Sequence, residues 1–175
     1  MNDLEAAFDR GLRAHFPRAY VINQPDFPWA SVRPALKSGG KTKFVAKQHP
    51  DRIVISKRYG AWCFELKACA GRRFAFSRLK PHQERRLRQF RTLAGRAYLL
   101  VSFNRLARAF AVPVEEYVRA RAASSRKSLT LEDVERMAAA NGGVVEVPVE
   151  VPDKLPRLVL SALLARPLTE FLRKS

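Results

Sequence analysis

The feature that most constrains this chain is an alternation running from Ala61 to Ala68. Trp62, Phe64 and Leu66 fall on one face of an extended strand, and Cys63, Glu65 and Lys67 fall on the other. Just before it comes a short β-branched run, Ile53-Val54-Ile55, and between the two lies a polar turn, Lys57-Arg58-Tyr59-Gly60. Two strands joined this way pair antiparallel, so the start of the first lies beside the end of the second. Asp51 follows Pro50 at that start, fourteen residues before Glu65, and lands within reach of Glu65 and Lys67.

A glutamate and a lysine two residues apart on a strand face that turns inward are costly to desolvate unless they pair or a metal completes the site. With Asp51 alongside, two hard carboxylate oxygens next to a lysine make a Mg²⁺ site of the hydrolytic kind. The bland alternative is an exposed Glu/Lys pair on a solvated sheet. A second Pro-Asp pair, Pro25-Asp26, is followed by Phe27-Pro28, which cannot continue a central strand, and is set aside.

The rest of the chain supplies the frame. Leu4, Phe8 and Leu12, followed by Phe16, mark an N-terminal helix that Pro17 ends, and Ala19-Tyr20-Val21-Ile22 reads as a short strand. From Gln24 to His49, prolines, Ser38-Gly39-Gly40 and Lys37, Lys41, Lys43 and Lys47 describe a basic, loop-rich arm. A helix is expected from Pro81 to Leu93, with Gln83 on the same stripe as Leu87, Phe90 and Ala94 and therefore facing the sheet. Tyr98 to Phe103 and Leu106 to Val112 read as strands, and Val114 to Arg121 as a short helix. A basic, Ser-rich loop from Ala122 to Ser128 follows. Thr130-Leu131-Glu132-Asp133 opens a helix that Asn141-Gly142-Gly143 stops. Val144 to Val151 is extended, and a last amphipathic helix is expected through Leu158 and Leu163. The order points to an α/β fold with a mixed sheet flanked by helices and a protruding basic arm. A length of 175 residues fits one domain, 1–175, with 24–49 as an insertion and 122–175 as a C-terminal helical and extended extension.

Charge narrows the partners. Lys and Arg number 33 against 16 Asp and Glu, a formal +17, which calls for a polyanion. Between Arg72 and Arg96 nine cations face one acid, Glu84, and self-repel unless phosphates neutralise them. Arg72, Arg73, Lys80, Gln83, Arg85, Arg86, Lys41 and Lys43 are the candidate contacts to nucleic-acid phosphates, with Arg72 and Arg73 foremost because they follow the Glu65–Lys67 strand directly. No apolar run is long enough for a membrane helix, no leader pattern opens the chain, and two cysteines cannot staple a fold. The expectation is a cytoplasmic protein with no membrane partner and no small-molecule cofactor.

Pro50-Asp51 with Phe64-Glu65-Leu66-Lys67 resembles the PD-(D/E)xK nuclease core. Phe74-Ala75-Phe76-Ser77-Arg78-Leu79 leading to His82-Gln83, the apolar run Ala97 to Phe103 and the helix start at Lys127 to Thr130 are similar to the RecU-type Holliday junction resolvases, and more distantly to the archaeal Hjc type. The resemblance implies a restriction-endonuclease-like fold. It also implies a structure-selective endodeoxyribonuclease that resolves four-way junctions as a homodimer, in recombination and repair or phage DNA processing. It assigns Mg²⁺, with Mn²⁺ as a substitute, to Asp51, Glu65 and the Leu66 carbonyl. Lys67 becomes the catalytic lysine, Glu5 the acidic residue of the first helix with Asp9 as competitor, and 24–49 a stalk entering the junction centre. The alternatives are another nuclease of the same superfamily, such as a flap or restriction-like nickase, and a basic nucleic-acid-binding protein without activity.

Overall fold

The computed structural model describes residues 3–23, 50–140, 143–151 and 156–164. The chain runs α1 (Asp3–His15), β1 (Tyr20–Asn23), β2 (Arg52–Ser56), β3 (Gly60–Cys69), β4 (Arg73–Ala75), α2 (Pro81–Ala94), β5 (Gly95–Phe103), β6 (Arg108–Pro113), α3 (Val114–Ala123), β7 (Ser128–Thr130), α4 (Leu131–Ala139), β8 (Val145–Val147), β9 (Val149–Glu150) and β10 (Arg157–Leu158). The main sheet has the order β1-β2-β3-β5-β6-β8. Only the β3–β5 pair is parallel, with α2 as its crossover; every other neighbour in that sheet is antiparallel. This is an α/β fold with a mixed sheet and helices on both faces. The stalk expected over 24–49 lies outside the described residues.

Strand alternation divides the core in two. Trp62, Phe64 and Leu66 join Phe8, Leu12, Tyr98 and Leu100 beneath α1. Cys63 and Cys69, both free thiols, join Leu87, Leu99, Val101 and Tyr117 on the side of α2, α3 and α4. Phe64 anchors the first half, edge-on to Phe8 at 5.0 Å and stacked on Tyr98 at 5.6 Å between ring centroids. Helix α2 passes into β5 with no loop. Gly95 makes that reversal at φ 113°, a backbone conformation that a Cβ disfavours.

Three expectations are corrected. The strand expected from Leu106 begins at Arg108, because Asn104–Leu106 form a 3₁₀ turn and Ala107 adopts a left-handed conformation (φ 49°) to reverse the chain between β5 and β6. Ser128 is not loop. Ser128–Thr130 pairs antiparallel with Arg73–Ala75, tying the start of α4 to the segment that leaves β3. The last amphipathic helix is, over its described part, strand β10 paired with β9 and then a 3₁₀ turn, Leu160–Leu164. Leu158 and Leu160 are both buried under α1, a spacing of two that a flat extended segment satisfies and a helix does not.

That segment lies close against α1. A Cβ built on Gly11 would sit 2.3 Å from the Leu158 carbonyl oxygen. Gly11→Ala is therefore expected to destabilise the fold by roughly 1–3 kcal/mol through overpacking, despite alanine's better helix propensity. Chemical denaturation measures it, and a variant as stable as the parent would contradict this packing.

Candidate active site

The site forms where β2 begins and β3 ends. The β2–β3 ladder closes with Arg52 opposite Phe64, so Asp51 stands just beyond the last pair. Its Oδ2 accepts the Leu66 backbone N–H at 2.8 Å. A strand residue points its N–H and C=O to the same edge, so the Leu66 carbonyl faces the side where Asp51 lies. Glu65 is 2% exposed, and its Oε1 accepts from Lys67 Nζ at 2.7 Å and from Gln83 Nε2. The opening turn of α2 sets Gln83 in place: Oε1 of Gln83 accepts the Lys80 backbone N–H at 3.0 Å, so its amide nitrogen is turned toward Glu65.

Burial pushes the Glu65 carboxyl up to about 7, and the neighbouring Asp51 carboxyl adds to the rise while Lys67 opposes it. Two acids share a water-poor corner that one lysine does not fully neutralise. Such a corner fits a hard divalent cation, because the donors are all oxygen: the two carboxylates and the Leu66 carbonyl. Among the described residues no three His, Cys, Asp or Glu side chains gather into a metal cluster, so that carbonyl is needed to extend the donor set.

The other predicted residues fall in distinct places. Glu5 and Asp9 both project from α1 to one cation, Arg52, which is 5% exposed. Sequence reasoning missed Arg52. The signal was available: an arginine at an inward strand position, and two acids one helical turn apart on the helix that covers it. Arg72 is engaged by Glu132 at 2.5 Å, whereas Arg73, Lys80, Arg85 and Arg86 have no ion-pair partner among the described residues. Burial and then Arg86, Arg85, Lys67 and Lys80 hold the His82 imidazole below its ordinary value, which marks a positive field at the mouth of the site. Lys41 and Lys43 lie outside the described residues.

The family model for RecU, recombination protein U, matches residues 36–149. The chain belongs to the RecU family. RecU proteins are Holliday junction resolvases, so this RecU-family chain is a nuclease that hydrolyses DNA. Its matched span carries Asp51, Glu65, Lys67 and Gln83. Among solved structures it is similar to Hjc, a Holliday junction resolvase from the archaeal hyperthermophile Archaeoglobus fulgidus. That likeness has a TM-score of 0.43 and 16% identity, over 73% of this chain and 89% of that one. No curated protein matches it. Among the described residues no helix is long and apolar enough to cross a membrane.

Proposed function

We propose that this RecU-family resolvase cuts four-way junctions with a divalent cation, Mg²⁺ or Mn²⁺, held by Asp51, Glu65 and the Leu66 carbonyl. The observation that carries the reading is the convergence of Asp51, Lys67 and Gln83 on the buried Glu65 carboxylate. Bound there, the cation would supply Lewis acidity toward a phosphodiester oxygen and acidify water. Asp51 and Glu65 offer the negative charge that keeps it in place. Lys67, 16% exposed, stands between the buried acid and solvent, where it steadies charge that builds on the phosphate and orients a water molecule. Gln83 holds Glu65 in a single orientation and touches neither the cation nor DNA in this scheme; a direct phosphate contact is its alternative role.

Arg73, Lys80, Arg85 and Arg86 bind backbone phosphates around the site. A two-fold dimer presents two such sites to opposite strands of a junction, which accounts for paired nicks. A strongly basic resolvase acting on recombining DNA works in the cytoplasm.

Single-turnover cleavage of a junction at saturating cation tests the roles of the neighbours. Lys67→Ala is expected to lose roughly 10²–10³ in rate with junction affinity unchanged. Gln83→Leu is expected to lose about 10–100-fold. Full activity in Lys67→Ala would remove it from the chemistry.

A further inference from the structure

Asp51 lies beyond the last β2–β3 pair, and among the described residues no strand pairing holds it. Something else must. Its neighbour Arg52 sits opposite Phe64, on the face covered by α1, while Glu65 and Lys67 project from the other face. The guanidinium of a residue only 5% exposed needs neutralisation and hydrogen bonding. Asp9 supplies a two-pronged contact, Nε to Oδ1 at 2.9 Å and Nη2 to Oδ2 at 3.0 Å, and Glu5 adds a longer one from Nη2 at 3.4 Å. The remaining nitrogen, Nη1, donates to the backbone carbonyl of Asp51 at 2.9 Å.

Asp51 is thus tethered at two points, its carbonyl by Arg52 and its carboxylate by the Leu66 N–H at 2.8 Å. Pro50, buried just before it, restricts the backbone on the other side. Glu5 and Asp9 both engage Arg52, and Arg52 links them to Asp51.

We propose that Arg52 is a positioning residue: anchored on Asp9 and Glu5, it fixes Asp51 for cation binding. This rests on the reading that Asp51 and Glu65 hold the cation.

Charge alone and positioning predict opposite signs. Removing a positive charge close to a cation site favours cation binding by Coulomb's law. Loss of positioning weakens it. Isothermal titration of the full chain with Mn²⁺, alongside thermal melting, separates the two.

Arg52→Met is expected to bind Mn²⁺ about 10–100-fold more weakly than the parent, the range for removing a group that orients a ligand. Arg52→Met combined with Asp9→Asn removes the more buried of the two carboxylates that lose their cation; it should melt closer to the parent and still bind the cation weakly. Arg52→Lys keeps the charge without the fork and should also bind weakly. Parent-like or tighter Mn²⁺ binding in any folded Arg52 variant would overturn the proposal. Asp51→Asn is the reference: if it too binds as the parent does, the cation site itself is misassigned, whereas weak binding there with normal binding in the Arg52 variants removes only the role of Arg52.

Discussion

Asp51→Asn and Glu65→Gln are each expected to lower single-turnover cleavage of a four-way junction by roughly 10³-fold or more, while junction affinity stays level or rises. The asymmetry follows from what each carboxylate does. Both carry negative charge into the corner that receives a phosphate, so deleting either relieves repulsion toward DNA as it removes a cation ligand. Glu65→Gln has a further consequence, because the buried Oε1 that accepts from both Lys67 and Gln83 stays in place as an amide oxygen. The variant should therefore fold, and its defect should be chemical. A gel-shift titration beside the cleavage assay checks both halves. Full cleavage by either variant would remove that residue from the site.

The second large effect concerns affinity. Neutralising Arg73, Lys80, Arg85 and Arg86 together should flatten the dependence of log affinity on log salt by about 0.9 for each phosphate that is no longer neutralised. These four are cations that no described carboxylate engages. Arg72 and Arg121 belong to a different group, held by Glu132 and by the largely buried Glu84. Neutralising that pair should cost less binding, since each must leave a protein carboxylate to reach a phosphate. An unchanged salt slope in the fourfold variant would place the DNA on another face.

How much of this was legible in the sequence depended on how local the determining physics was. The β2–β3 hairpin, the facing of Glu65 and Lys67 and the inward turn of Gln83 all follow from periods of 2 and 3.6 acting over a few residues. The capping box at Thr130 and Asp133 was equally local. The β4–β7 pairing was not, because strands of three residues carry no period and are set by what packs around them. The segment through Leu158 and Leu163 has leucines that suit a helix or a strand, and its close fit against Gly11 decided the matter. Arg52 escaped notice because its meaning lies in two acids more than forty residues away on a different element. The arm over 24–49 is legible only as composition.

Cleavage of a four-way junction compared with linear duplex of the same sequence, with Mg²⁺ and with chelator, tests the central claim most directly. Paired, symmetric nicks in the junction, little cutting of the duplex and none of either with chelator are the expected results. Equal cutting of both substrates, or junction cleavage that persists in chelator, would contradict a cation-dependent resolvase built on Asp51, Glu65 and Lys67.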